Sequence, residues 1–351
     1  MKKSFCCLIT LLALCSFISL EAAYTSKGGH PANANETATM SGKDHYNFGV
    51  EAFEAKNWNE AAKQFNIVAI EFPDSPYGAD AYYFAGVAYY QIKEYDLANE
   101  AFNNYLKVKN DPKFFQEVIQ YKFSIAEQFR GGARRRPFGT KQFPKWLSAY
   151  EEALDIYDEV VAALPSSDLA AQALFYKGCL MWKMGDFRGA IDSYQMLIRR
   201  FNKNELAPQA YLNITKIYLD QSKFEFQNPD LIALAEVNVR KFEMDYPRDE
   251  RLQQAQYEVN HIKEVYARGL FETGQFYERK GKPKASTIYY ENAVRRFPET
   301  SISKCCRRRL YRICPSILSR IEEIATEEAS ELQELIDDGA FDASEFDIKD
   351  L

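Results

Sequence analysis

The sequence predicts an all-α fold, an array of about six helix pairs. Three observations carry this. From residue 43 on, one spacing recurs: an Ala, an aromatic four residues later, a small or apolar residue three after that, and often a Pro five further. Twelve residues ahead of that first position stands Gly49, Gly86, Gly178 or Gly274 in four of the six copies. Helix breakers then fall at fixed places, in Lys56-Asn57-Trp58, Lys93-Glu94-Tyr95, Gly185-Asp186-Phe187 and Gly281-Lys282-Pro283. The composition agrees: of 351 residues 46% are hydrophobic and 27% charged, which excludes a wholly disordered chain.

The elements follow in chain order. Lys2 and Lys3 precede an apolar run from Phe5 to Leu20, and Leu20-Glu21-Ala22-Ala23 offers small residues for cleavage, so 1–23 reads as an export signal. The run is shorter than the roughly 20 apolar residues a membrane-spanning helix needs. Leu12-Ala13-Leu14-Cys15 is close to a bacterial lipoprotein box, which makes Cys15 a candidate lipid attachment point and the chain a candidate for tethering to a membrane by that lipid. Cleavage after Ala22 or Ala23 is the other outcome, and either way the chain is exported. Residues 24–42 are mostly Gly, Ala, Asn, Ser and Thr without an apolar period and read as a flexible tether.

The array itself spans 43–312. Its copies read Ala61-Phe65-Val68-Pro73, Ala98-Phe102-Tyr105-Asn110, Ala153-Tyr157-Val160-Pro165, Ala190-Tyr194-Leu197-Asn202, Ala235-Val239-Phe242-Pro247 and Ser286-Tyr290-Ala293-Pro298. This Gly-to-Pro layout resembles the tetratricopeptide repeat, a helix pair of about 34 residues. The resemblance implies a superhelix with a concave groove, because no single pair can bury its apolar face alone. Glycine lets the helices of a pair approach closely, and the aromatic fills the gap to the next repeat. The spacing is interrupted by an insertion in the third repeat, Arg130–Lys145, and by a smaller one around Phe224–Pro229. Arg251 to Lys280 has no Pro and reads as one extended helix entering the last repeat.

A signal-led repeat protein with an insertion in its third repeat and a long helix entering its last one resembles the BamD (ComL) family. The residues that carry this are the run Glu272-Thr273-Gly274-Gln275-Phe276-Tyr277-Glu278-Arg279-Lys280-Gly281, the ending Arg296-Phe297-Pro298-Glu299-Thr300, and its echo Glu71-Phe72-Pro73-Asp74-Ser75. The resemblance implies a periplasmic lipoprotein at the inner face of the outer membrane. Its partners would be the outer-membrane β-barrel insertase or that insertase's substrates. A coordinator of cell-wall or division proteins, working through the same repeat groove, is the alternative.

Counting from the repeat Gly places Tyr46, Phe53, Tyr83, Tyr90, Phe175, Trp182 and Phe271 on the groove, where rings would give a peptide large contact area at low entropic cost. Gln275 and Glu278 fall on the same face by that count. The competing reading is that such rings pack against neighbouring repeats. The insertion holds Arg130, Arg134, Arg135, Arg136, Lys141 and Lys145 with no acid, a basic loop suited to a partner's acidic patch or to lipid headgroups, or else a solvated loop. With 44 Lys and Arg against 50 Asp and Glu, the acidic chain is not a general nucleic-acid binder. Residues 295–312 are basic. Residues 313–338 include an amphipathic helix over 316–337 read as a cap on the last repeat, and 339–351 form an acidic tail.

The four cysteines left after export, Cys179, Cys305, Cys306 and Cys314, form no spacing for zinc or for a disulfide framework. Catalytic motifs and metal-ligand spacings do not occur in the sequence, so the expectation is a binding scaffold without a cofactor, metal or enzymatic activity.

Overall fold

The computed structural model of the protein describes residues 24–27, 30–33, 37–108, 111–137, 143–225, 228 and 230–316. The signal 1–23, Cys15 and the segment 317–351 lie outside them. The described residues hold thirteen helices and two short hairpins in two units, 1–173 and 174–351.

Unit 1 opens with strands β1 (Tyr24–Lys27) and β2 (His30–Asn33), paired antiparallel with Tyr24 opposite Asn33. This differs from the structureless tether predicted for 24–42. Two short runs joined by Gly28-Gly29 meet the loop length and residue type of a tight hairpin. Three helix pairs follow: α1 (Gly42–Glu54) with α2 (Trp58–Glu71), α3 (Gly78–Gln91) with α4 (Tyr95–Val108), and α5 (Phe115–Arg130) with α6 (Tyr150–Ala163). Helix α7 (Asp168–Met184) crosses from unit 1 into unit 2, where it pairs with α8 (Phe187–Arg200). Next come α9 (Leu206–Phe224) with α10 (Asp230–Asp245), and α11 (Arg251–Arg279) with α12 (Pro283–Arg296). The predicted long helix is therefore α11, and α13 (Ser301–Ile313) follows the last pair.

Four of the six pairs are built around one close approach of a ring to a glycine. A Cβ added at Gly86 would lie 2.6 Å from Phe102 Cε1, one at Gly178 2.9 Å from Tyr194, and one at Gly274 2.5 Å from Tyr290 Cε1. In every case the ring lies sixteen residues on, on the second helix of the same pair. The glycine makes room for its own pair's aromatic, so that ring first fills the pair it belongs to. It reaches the next pair as well, since Phe65 stacks on Phe84 at 5.3 Å and Phe102 on Tyr121 at 5.4 Å.

The turn inside a pair has its own register. Lys56, Lys93, Gly185 and Gly281 have positive φ, between 58° and 84°, closing the first helix of their pairs. Each stands five residues before a fully buried small residue, Ala61, Ala98, Ala190 or Ser286.

Two buried polar side chains, His45 and Lys122, are held by several partners each. His45, 1% exposed, accepts the amides of Thr39 and Met40 on Nε2, each at 3.1 Å, and its Nδ1 donates to Gln64 Oε1 at 2.6 Å. The imidazole is thus the neutral Nδ1–H form, and it fastens the chain before α1 onto α2. Lys122 is equally buried between α4, α5 and α6, where its Nζ donates to Asn99 Oδ1 at 3.0 Å and pairs with Glu159 at 2.5 Å. Burial lowers its pKa against the opposing pull of Glu159.

The last pair ends on a core of Tyr290, Ala293, Val294, Cys306 and Leu310, with Leu270, Phe271, Ile302 and Ile313 packed against it. Helix α13 is therefore a capping element. The amphipathic segment expected to cap the array lies, from residue 317 on, outside the described residues.

The buried tyrosines set an alkaline limit on stability. Burial, then Tyr121, Glu117 and Tyr105, pushes the Tyr83 phenol up to about 12, and burial likewise raises Tyr46, Tyr95 and Tyr121. Above pH 10 the unfolded chain loses phenolic protons that the native chain keeps, so stability falls as pH rises from 10 through about 12. A melting temperature that is level up to pH 10 and then drops together with the rise of phenolate absorbance is the expected result. A level melting temperature through pH 12 would contradict it.

Candidate functional site

Helices α1, α3, α5, α7, α9 and α11 are the first helices of their pairs, and the predicted groove rings stand on α1, α3, α7 and α11. All seven rings are half-buried. Tyr46 stacks on Tyr77 at 4.7 Å and meets Phe65 and Phe84 edge-on. Phe53 sits edge-on between Trp58, Phe65 and Phe84. Tyr83 stacks on Phe114 at 4.1 Å, and Tyr90 meets Tyr95 and Tyr121. In unit 2, Phe175 packs on Tyr194 and Phe271 on Tyr290. The structure thus brings these rings together as inter-helix packing, with only part of each ring left to a partner. Phe271 belongs to the last core.

Trp182 behaves differently. Its indole N–H donates to Asp220 Oδ2 at 3.1 Å, and Asp220 Oδ1 accepts Lys223 at 2.8 Å. Lys223 in turn lines a cleft of about 530 Å³ with Val265, Arg268, Gly269, Glu272, Thr273, Phe276 and Tyr277. Phe276 is 47% exposed there, with Lys280 Nζ 5.7 Å from its ring centre. Tyr277 stacks on Tyr289 at 5.3 Å, which fixes its ring. Thr273 bonds back to the Gly269 carbonyl at 2.8 Å. The cleft combines apolar rings with the cations Lys223 and Arg268 and one acid, Glu272, and Lys280 adds a third cation over the Phe276 ring. That chemistry suits an extended peptide carrying an apolar side chain near a carboxylate.

Counting from Gly274 put Phe271, Gln275 and Glu278 on the groove and missed Arg268, Phe276 and Tyr277. Glu278 is turned to the core side, where Oε2 accepts the Tyr290 hydroxyl at 2.8 Å and Oε1 accepts Arg309 at 3.0 Å. The signal that could have found the cleft is the interval from Val265 through Arg268, Glu272 and Phe276, one stripe along the extended α11.

The basic insertion folds onto its own unit. Strands β3 (Arg134–Arg135) and β4 (Leu147–Ser148) pair antiparallel at its base. Arg136 Nη1 holds Asp96 at 2.8 and 3.1 Å, its backbone amide donates to the same carboxylate, and Nη2 pairs with Glu94. Burial opposes the charge on Arg136, but Glu94 and Asp96 outweigh it and its pKa is raised. Lys145 pairs with Glu94 at 2.8 Å and donates to the Lys93 carbonyl. Arg135 reaches Glu152 at 3.4 Å, and Arg130 pairs with Glu127 at 2.5 Å. Four of the six cations are thus engaged within the chain. Arg134 is exposed, and Lys141 lies outside the described residues.

Cys179, Cys305, Cys306 and Cys314 are free thiols, and burial pushes Cys306 up to about 12. Among the described residues no helix is long and apolar enough to cross a membrane, and no His, Cys, Asp and Glu group is arranged to hold a metal.

With the geometry established, the chain can be set beside known proteins. Residues 38–130 match the model of YfiO, a BamD-like outer membrane lipoprotein family, and residues 172–203 match that of the tetratricopeptide repeat. No curated protein matches the chain. Among solved structures it is similar to YrrB, a repeat protein with an unusual peptide-binding site, at 15% identity over 62% of this chain and 92% of that one, TM-score 0.34. It is also similar to a repeat protein of Bacteroides fragilis, at 13% identity over 82% and 100% of the two chains, TM-score 0.38. A third, from Parabacteroides merdae, is 12% identical over 76% and 98%, TM-score 0.34. The fold is that of tetratricopeptide repeats, whose business is holding proteins.

Proposed function

We propose that the chain is an exported, envelope-associated scaffold that holds segments of protein partners and does no chemistry of its own. The partners are those of outer-membrane β-barrel assembly, the insertase or its substrates, and Cys15 is the candidate point of lipid attachment. The observation that carries binding is the cleft along α11, where exposed Phe276 stands among Lys223, Arg268 and Lys280. The assembly role is supported by the outer membrane lipoprotein match over 38–130, which covers the first two pairs and α5.

The test is crosslinking in cells and purification of the tagged chain from the membrane fraction, with partners identified by mass spectrometry. Recovery of the β-barrel insertase or of outer-membrane barrel proteins is expected. The pair Arg268→Glu and Phe276→Ala should weaken that capture about thirtyfold, the equivalent of a 2 kcal/mol hot spot. Recovery of cell-wall or division proteins without the insertase would overturn the assembly role, and capture unaffected by the pair would overturn the cleft.

A further inference from the structure

Helix α13 has two faces of opposite character. Ser303, Cys306 and Leu310 are buried at the last core, with Ile302 and Ile313 packed beside them. The helix also carries five cations, Lys304, Arg307, Arg308, Arg309 and Arg312, and no acid. At about 100° per residue, Lys304, Arg307, Arg308, Tyr311 and Arg312 fall within one outward arc of about 140°. Lys304, Arg308 and Arg312 are exposed there, and Tyr311 is 68% exposed among them. Among the described residues no carboxylate pairs with Lys304, Arg307, Arg308 or Arg312. The acids close by are engaged elsewhere: Glu278 holds Arg309 at 3.0 Å, Glu291 holds Arg295 at 3.8 Å and Glu299 holds Lys263 at 3.3 Å.

Like charges one turn apart destabilise a helix, so the row Lys304, Arg308 and Arg312 calls for counter-charge from outside. The row is about 12 Å long and lies on the convex surface of a helix, so its cations diverge instead of converging on one phosphate or carboxylate. A plane of anionic headgroups supplies counter-charge at any spacing and meets the whole arc at once. Tyr311, in the middle of the arc, adds a ring with an apolar body and a polar tip, the side chain suited to the boundary between headgroups and acyl chains.

We propose that the outer face of α13 docks on the surface of an anionic phospholipid bilayer, with Lys304, Arg307, Arg308 and Arg312 against headgroup phosphates and Tyr311 entering the headgroup layer. The net charge of −6 does not cancel this attraction, because charges farther off than the roughly 10 Å Debye length of 0.1 M salt are largely screened. The contact is separate from any lipid on Cys15, and none of it depends on what the cleft along α11 binds.

The experiment is limited acetylation of the full chain, read at Lys304 by peptide mass spectrometry. It is run with vesicles of phosphatidylglycerol and phosphatidylcholine in equal parts, and with vesicles of phosphatidylcholine alone. Acetylation of Lys304 should slow at least about fivefold on the anionic vesicles, the worth of a single cation at such a surface, and stay unchanged on the neutral ones. The variant R308E/R312E should keep the melting temperature yet need at least about thirtyfold more anionic lipid for half-protection, and R308Q/R312Q should fall between it and the parent chain. R308K/R312K should keep the protection, since a headgroup plane reads charge and not the guanidinium fork. No protection of Lys304 by anionic vesicles would overturn the proposal, whatever else covers the face. So would equal protection by neutral vesicles, or protection reproduced by inorganic phosphate at the same phosphorus concentration. Protection that R308E/R312E leaves intact, or that R308K/R312K abolishes as a site shaped for an acidic protein would, overturns it too.

Discussion

Arg136→Ala should cost about 3–5 kcal/mol of stability, the usual result of removing one partner from a buried ion pair. The Arg136 and Asp96 side chains are 11% and 6% exposed, so water cannot replace the guanidinium. Two carboxylates, Asp96 and Glu94, lose their shared partner at the start of α4, and Lys145 remains only for Glu94. The position of Asp96 in the first turn of α4, with Oδ1 accepting the Leu97 amide at 3.1 Å, softens the loss without cancelling it. Chemical denaturation of the purified chain measures the cost. Asp96→Asn in the Arg136→Ala background should recover a good part of it, because the stranded charge is then gone. Arg134→Ala, on an exposed residue of the same loop, should change stability by no more than about 0.5 kcal/mol. A loss below about 1 kcal/mol for Arg136→Ala would mean that the loop is not fastened by this residue.

The second large effect lies in the contact between Gly86 and Phe102. Phe102 is fully buried, and its truncation to Ala should cost about 3–5 kcal/mol through lost transfer energy and the cavity left behind. Gly86→Ala places a methyl 2.6 Å from the ring. Overpacking of about 1–3 kcal/mol then outweighs the roughly 1 kcal/mol that Ala gains over Gly in a helix. The double variant should be no less stable than Phe102→Ala alone, since the new methyl enters space that the ring has vacated. Strict additivity of the two losses would show that ring and glycine do not share that space.

The helix pairs were legible because one physical constraint, a ring against a glycine sixteen residues earlier, repeats in four of the six pairs and leaves a periodic trace. The left-handed turns were legible for the same reason. The site was harder to read. Position relative to Gly274 told which helix faces the groove but not how far α11 is rotated within it, and a shift of two or three residues moved Phe271 into the last core and Phe276 into the cleft. The basic insertion misled in a different way. A run of Arg and Lys without acids looks like a docking patch until the fold brings Glu94, Asp96 and Glu152 against it, and those lie between 17 and 51 residues away from the cations they hold. The β1–β2 hairpin escaped notice because its pairing is set by turn length rather than by an apolar period.

The left-handed turn residue has a broader consequence. In four pairs it is followed five residues later by the buried small residue, whereas in the third pair Gly132, with φ 104°, precedes Ala153 by twenty-one. The added sixteen residues leave the register before and after them intact. By loop-closure entropy the longer connection costs only about 1.3 kcal/mol. Packing between helices is thus indifferent to the length of the turn. The same site in any other pair, after Lys56, Lys93, Gly185 or Gly281, is a natural place to graft a foreign loop, and a repeat protein can acquire new appendages there without renegotiating its core.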